Sequence, residues 1–243
     1  AARAAETLGK AEDAKYFEER SHSYRNYFDP ATRFMRGRDS RKGWRTPFNA
    51  FASTHRADDY CEGNAWQYTW LAPHDVKGLE GLFGSRAKMI EKLDSLFTVS
   101  SVIEGGETSP DISGLIGQYA HGNEPSHHIP YLYSWTTEPW KTQYWIREIM
   151  NRMYRNNIDG LCGNDDCGQM SAWYIFSAMG FYPVCPGTDQ YVIGAPYLPY
   201  MQVNLENGKT FTVRADKVSD KNRYIKSVTL NGKPYKKAYI TPV

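Results

Sequence analysis

The sequence has almost no excess of charge of either sign. Its 29 Lys and Arg residues nearly balance 27 Asp and Glu, giving a formal net charge of +2 over 243 residues. Proteins that bind nucleic acid or anionic membrane surfaces usually carry a strong basic field. Neither partner is indicated here, and no apolar run approaches the roughly 20 residues that a membrane span requires.

Cysteine is scarce as well, and the usual start of a chain is missing. Four cysteines at positions 61, 162, 167 and 185 are too few for a disulfide scaffold at this length. The chain begins AARAAE, without a Met or a signal peptide, and reads like the middle of a helix. We therefore expect a fragment of a longer protein, so the missing signal peptide says little about targeting.

Aromatic residues, by contrast, are abundant. They make up 14% of the chain and include 7 Trp and 18 Tyr. Such side chains suit a sugar-binding protein, because pyranose rings present flat C–H faces to aromatic rings. A large aromatic core would account for the same composition.

Hydrophobic periodicity predicts helices through the first two-thirds of the chain. One of them is capped by Ser85, and the last is apolar on most sides, which predicts deep burial before it ends at Gly180. The predicted helical segments are 3–27, 62–72, 86–97, 137–154 and 168–179.

After Gly180 the pattern changes to short alternating or β-branched runs, which predict strands. The pairs Asn207-Gly208 and Asn231-Gly232 are typical of type I′ hairpin turns. The predicted organisation is a mainly α region over 1–180 followed by antiparallel β structure over 181–243.

The first stretch with chemical potential is CEGNAWQYTW at 61–70. Glu62 begins a predicted helix beside a Gly and several aromatic residues. In a water-poor site such an acid has a raised pKa and can deliver a proton. A plain helix-capping role for the carboxylate is the alternative.

The second stretch, IGQYAHGNEPSHH at 116–128, places three His, an Asn and a Glu within eight residues. The His cluster favours zinc, whereas Asn123 and Glu124 supply the hard oxygen donors that calcium prefers. Ordinary buried His side chains with hydrogen-bond partners are a third interpretation.

The third stretch, GNDDCGQM at 163–170, opens the last helix. The helix dipole should keep Asp165 and Asp166 ionised, which suits a cation site or a base that activates water, although capping explains them equally well. A fourth loop, FMRGRD at 34–39, offers Arg side chains that could clamp hydroxyls, and a solvated loop explains it better. A protonated acid together with an ionised base is the pair that glycoside hydrolysis requires.

The first three motifs, extended to GNDDCGQMSAWYIFSAMGFYPV at 163–184, resemble glycoside hydrolase family 92 over nearly the whole chain. The resemblance implies a bacterial, calcium-dependent, inverting exo-α-mannosidase that acts on mannose-containing glycans or glycoproteins. It implies part of an (α/α)6 toroid followed by a short antiparallel β region, without the family's N-terminal β-sandwich. It also implies a secreted, periplasmic or cell-surface location.

Site roles follow from the same resemblance. Glu62 resembles the general acid and Asp166 the base, which lies beside the metal. Asn123 and Glu124, with Asp166, resemble calcium ligands. The family's third motif can carry an acid where this chain has Asn164, so Asp165 is kept as an assisting catalytic candidate. Candidate substrate contacts are Trp66, His121, His127 and His128, and the His residues could instead brace the loop.

Two other classes of function remain open from sequence. One is a carbohydrate-binding or structural fragment that is inactive without the missing domain. The other is a glycan amidase, which would require a nucleophilic Cys such as Cys61 or Cys167.

Overall fold

The computed structural model describes residues 1–41, 43–55 and 58–241 of the chain. Its fold is mainly α with small antiparallel sheets. Three 3-10 helices cover Ser23–Tyr27, Glu124–Ser126 and Ile129–Trp135. The α-helices are α1 (Ala2–Thr7), α2 (Ala11–Ser21), α3 (Ala65–Tyr68), α4 (Val76–Phe83), α5 (Arg86–Thr98), α6 (Trp140–Met153) and α7 (Gln169–Met179).

The first predicted helix is interrupted. A turn at Leu8 and Gly9, where Gly9 takes a φ of 69°, separates α1 from α2, and a 3-10 helix follows. No residue of α2 is buried, and Tyr16 is 57% exposed. The periodic pattern identified the helices but not the break, because glycine adopts left-handed backbone at little cost.

The helix predicted over 62–72 shrinks to the four residues of α3. Asn64 sets its start with a reciprocal capping box, in which Gln67 returns a hydrogen bond to the Asn64 backbone. α4 was not predicted, although its buried Val76, Leu79 and Phe83 follow a helical spacing and Asp75 caps it. The predicted Ser85 cap of α5 is confirmed, since its side chain accepts the Lys88 N–H.

α6 and α7 form inside their predicted ranges, and α7 ends at Gly180 with a φ of 99°. The prediction of deep burial for α7 is wrong for one side of the helix. Met170, Trp173 and Ser177 are buried, whereas Ile175 is 56% exposed. Only one face of α7 therefore packs into the core.

Short antiparallel pairs complete the fold. β1–β2 and β3–β4 are hairpins within the predicted helical part, and the predicted strands after Gly180 are confirmed. β5 pairs with β6, which also pairs with β11, while β7–β8 and β9–β10 are separate hairpins. The strands are β1 (Phe28–Asp29), β2 (Phe34–Met35), β3 (Leu115–Ile116), β4 (Tyr119–Ala120), β5 (Phe181–Tyr182), β6 (Tyr191–Ile193), β7 (Tyr200–Asn204), β8 (Thr210–Arg214), β9 (Val228–Leu230), β10 (Lys233–Tyr235) and β11 (Tyr239–Ile240).

The two predicted turns differ. Asn231 and Gly232 both have positive φ, 50° and 77°, as a type I′ turn requires. At the other hairpin only Gly208 has positive φ, and Leu205 bonds to Lys209 across a wider loop. The type I′ prediction is confirmed at the second site and wrong at the first.

An aromatic-rich cluster joins helices α3 to α7. Trp70, Leu93, Ile149 and Trp173 are all less than 1% exposed within it. Full burial of one such side chain stabilises the fold by about 1.5–3 kcal/mol. The toroid and the division at residue 180 stay predictions, and the last two residues of the predicted β segment 181–243 lie outside the described range.

Candidate active site

Glu62 lies in the loop directly before α3, and the structure removes its alternative role as a helix cap. Asn64 performs that role, because its Oδ1 accepts the Trp66 N–H at 3.0 Å. The half-buried Glu62 carboxyl is therefore available for other contacts.

A buried amide network holds this loop against the β3–β4 hairpin. Asn64 Nδ2 donates to Gln118 Oε1 at 2.9 Å, and Gln67 Nε2 donates to the Gln118 carbonyl at 2.5 Å. Sequence reasoning missed Asn64, Gln67 and Gln118 as supports of the site. The Asn-x-x-Gln spacing of a capping box was the available signal for the first two.

Asn123 joins the second motif to the first. Its Nδ2 lies 2.9 Å from the Glu62 carbonyl oxygen and 3.4 Å from Glu62 Oε2. Its Oδ1 accepts the backbone N–H of Glu124 at 3.1 Å. Asn123 therefore contacts both the predicted acid, Glu62, and the predicted metal ligand Glu124.

Three carboxyl groups from the three motifs gather here. Partial burial raises the pKa of Glu124, and the nearby charges of Asp166 and Glu62 raise it further. The interaction of Glu124 with the Asp166 carboxyl group acts in the direction that favours a protonated Glu124. The structure therefore brings Glu62, Glu124 and Asp166 together.

The two neighbouring Asp residues have different environments. Asp165 Oδ1 accepts both the Ser171 N–H at 3.0 Å and the Ser171 hydroxyl at 2.9 Å, so it stabilises the first turn of α7. Asp166 and Cys167 adopt positive φ of 47° and 57°. Such backbone is costly for non-glycine residues and clusters at functional sites. Asp166, and not Asp165, is among the charged groups that raise the pKa of Glu124.

The His cluster is packed inside the protein. His121 is fully buried between the Tyr119 and Tyr154 hydroxyls, at 2.8 and 2.7 Å. His127 Nε2 donates to the His121 carbonyl at 2.9 Å, and its Nδ1 accepts from Gln169. This is the bracing arrangement that sequence analysis left open.

The other two candidate substrate contacts are buried too. His128 Nε2 donates to the Trp70 carbonyl at 2.6 Å, and burial lowers the pKa of His128 to about 4. Trp66 is 6% exposed and packs edge-on against Phe34. Contact between substrate and Trp66 or the His residues stays a prediction.

A metal-binding group of three or more His, Cys, Asp or Glu side chains is absent from residues 1–41, 43–55 and 58–241. The oxygen donors that lie together are Glu124, Asp166 and the amide of Asn123.

Within residues 1–41, 43–55 and 58–241 the four cysteines are free thiols, and burial raises the pKa of Cys162 to about 11. That direction disfavours a thiolate at Cys162.

Comparison with known proteins bears on this arrangement of acids. Residues 1–242 match the model of the glycosyl hydrolase family 92 catalytic domain. The chain belongs to glycoside hydrolase family 92. The chain is 29% identical over 256 residues to an uncharacterized secreted glycosidase of Arthroderma benhamiae, covering 96% of this chain and 31% of that protein.

Solved family 92 structures resemble it more closely. An α-mannosidase of Bacteroides thetaiotaomicron, solved in complex with mannoimidazole, is 47% identical with a TM-score of 0.91. An inverting mannosidase of Bacteroides thetaiotaomicron VPI-5482 is 39% identical with a TM-score of 0.85. Each comparison covers 99% of this chain, and 32% and 33% of those chains respectively. The chain thus spans about a third of the length of the relatives it matches.

Proposed function

We propose that this family 92 chain carries the catalytic acids of an exo-acting α-mannosidase that removes terminal α-mannosyl residues from glycans. The observation that supports it is the meeting of Glu62 with the Glu124–Asp166 pair, joined by Asn123. Two separated carboxyl functions around one site are what glycoside hydrolysis requires. The names of two solved relatives, both mannosidases, support mannose as the substrate.

In this proposal Glu62 is the general acid and Asp166 the base. Glu62 protonates the departing glycosidic oxygen, while Asp166 removes a proton from the attacking water on the opposite face of the sugar. Asp165 assists only by holding the turn, since Ser171 occupies its carboxylate. Inversion would require the two carboxyl groups to stand roughly 6.5–9.5 Å apart, and one solved relative is named an inverting enzyme.

Calcium is the proposed cofactor. Glu124 and Asp166 offer adjacent carboxylates, and Asn123 Oδ1 retains a lone pair beyond its bond to the Glu124 N–H. This all-oxygen donor set fits calcium better than zinc, since His121 and His127 use both ring nitrogens within the protein. A bound calcium would orient the sugar hydroxyls and the attacking water.

The substrates in this proposal are mannose-containing glycans or glycoproteins outside the cell. A secreted location is supported by the name of the Arthroderma relative. No helix in the described part of the chain is long and apolar enough to cross a membrane.

The test is hydrolysis of a panel of α-linked mannobioses by the full-length protein and its Asp166→Asn variant. We expect the parent to release β-mannose, which NMR can detect. The rate of mannose release should fall at least about 10²-fold in the variant. Asp220→Asn, an exposed substitution in the β region, is the matched control and should retain activity. If the parent releases no mannose from any mannobiose in the panel, the carbohydrate-binding alternative is favoured. Inactivation by thiol alkylation alone would favour the amidase.

A further inference from the structure

A cleft in the β region runs along the whole length of strand β8. It encloses about 730 Å³, within the roughly 300–1,000 Å³ of cavities that hold a ligand. Every residue from Thr210 to Asp216 lines it, and so does every residue from Asn222 to Asn231, a segment that includes β9. Successive side chains of a strand point to opposite faces, so a cavity that borders all of its residues lies along its edge.

This edge of β8 carries unpaired backbone groups. The ladder with β7 continues to Ala215, whose N–H donates to the Pro199 carbonyl at 2.9 Å. Hydrogen-bonded and non-bonded pairs alternate in an antiparallel ladder. Thr210, Thr212 and Arg214 therefore direct their N–H and C=O groups away from β7. Within residues 1–41, 43–55 and 58–241 these groups have no hydrogen-bond partner.

A second free edge, that of β9, lines the same cleft. Thr229 stands opposite Pro234, which has no N–H to donate, and next to the Leu230–Lys233 pair that closes the hairpin turn. The backbone groups of Thr229 therefore point away from β10. A two-stranded hairpin is only marginally stable alone, and an open strand edge readily pairs with another strand.

The floor of the cleft is apolar. Phe211 of β8 packs edge-on against Phe181, with ring centres 5.7 Å apart, and Ile193 and Ile240 also line the cleft. Phe211 and Val213 are only half-buried, whereas the residues between them are exposed. A strand that covers this floor needs an apolar side chain at every second position and polar side chains between them.

A strand edge five residues long requires a partner that repeats a donor and an acceptor at every second residue. Another strand supplies this pattern, whereas a small ligand does not. We infer that a β-strand occupies this cleft and pairs with the free edge of β8. This strand belongs to the same full-length polypeptide and lies outside residues 1–243, since the chain spans about a third of the length of the relatives it matches.

Proline substitutions in the full-length protein test the pairing. Thr212→Pro removes an N–H that β7 does not use, so only a strand on the cleft side loses a hydrogen bond. Gln202→Pro is the matched control, because Gln202 pairs with Thr212 and directs its N–H to the edge of β7 that does not line the cleft. We expect Thr212→Pro to lower the melting temperature by about 2–4 °C more than Gln202→Pro does. An equal or smaller shift would overturn the proposal.

Photo-cross-linking of the full-length protein identifies the occupant. p-Benzoylphenylalanine is placed at position 212, whose side chain is exposed, and in a control protein at position 202. We expect position 212, and not position 202, to form a link within one polypeptide to a peptide outside residues 1–243. Links from position 212 to a second molecule, or only to residues within 1–243, would contradict the assignment.

Discussion

Asn123 Nδ2 lies 2.9 Å from the carbonyl oxygen of Glu62 and 3.4 Å from its Oε2, across 61 residues of sequence. One amide therefore holds both the backbone and the carboxyl of the predicted acid. Because the other end of the same amide accepts the Glu124 N–H, Asn123 also fixes the distance between the acid and the Glu124–Asp166 pair.

Substitution of Asn123 should therefore act through Glu62. We expect Asn123→Ala to lower kcat on mannobiose by about 10-fold or more, since a misplaced catalytic group costs rate sharply. The loss should be smaller on dinitrophenyl mannoside. Measuring the activity of Asn123→Ala at increasing calcium concentrations separates the two proposed roles of Asn123, which are to position Glu62 and to bind calcium. Full recovery at high calcium would show a metal-ligand role alone and contradict the positioning role.

Glu62→Gln removes the proposed proton donor while keeping the side chain's size. We expect a loss of at least about 10²-fold on mannobiose and a much smaller loss on dinitrophenyl mannoside, whose leaving group needs no proton. Steady-state kinetics on both substrates measure the difference. Glu206→Gln, in an exposed turn, is the control. Equal losses on the two substrates would remove Glu62 from the acid role.

Chelation tests the proposed calcium site. EDTA should abolish mannose release by the full-length protein, and calcium should restore it better than zinc, because carboxylate and amide oxygens prefer hard cations. Glu124→Gln should raise the calcium concentration needed for half-maximal activity. Undiminished activity after exhaustive chelation would contradict the proposal.

Buried His128 predicts a pH dependence of stability. Burial lowers the pKa of folded His128 to about 4, whereas an unfolded His titrates near 6.5. Between these values the unfolded state binds more protons, so the free energy of unfolding should fall as the pH drops from about 6.5 to 4, by about 3 kcal/mol from this residue.

His128→Gln can still donate to the Trp70 carbonyl but cannot titrate, so urea unfolding should show a smaller loss of stability across this range. His74→Gln, at an exposed position, serves as the comparison and should leave the pH slope as in the parent. An unchanged slope in His128→Gln would show that His128 does not contribute to it.

Two glycine substitutions should have opposite effects on stability. Gly117 has a φ of +57°, and an added Cβ would lie 2.4 Å from the Leu96 carbonyl oxygen, so Gly117→Ala should destabilise the fold by more than about 1 kcal/mol. Gly81 lies in α4 with no atom near its missing Cβ, so Gly81→Ala should stabilise it by about 0.5–1 kcal/mol. Urea unfolding measures both. Equal shifts in both variants would contradict this account.

Local sequence predicted most of the regular elements, because helical periodicity, caps and turn residues act over only a few positions. Ser85 and Gly180 marked helix ends correctly. The break at Gly9 was missed, and so was the exposed side of α7 at Ile175. Those outcomes depend on which partners each face meets, and the apolar composition of a helix cannot specify its partners.

The sequence by itself determined which side chains are candidates, since Glu62, Glu124 and Asp166 are acids that each lie within two residues of a glycine. Only the tertiary structure decided the surroundings of each carboxyl group. Asn64 takes the capping role that Glu62 might have had, and Ser171 occupies Asp165 but not Asp166. The physical reason is that a carboxylate's function depends on its hydrogen-bond partners and burial, and the contacts that unite this site join residues about 40 to 60 positions apart.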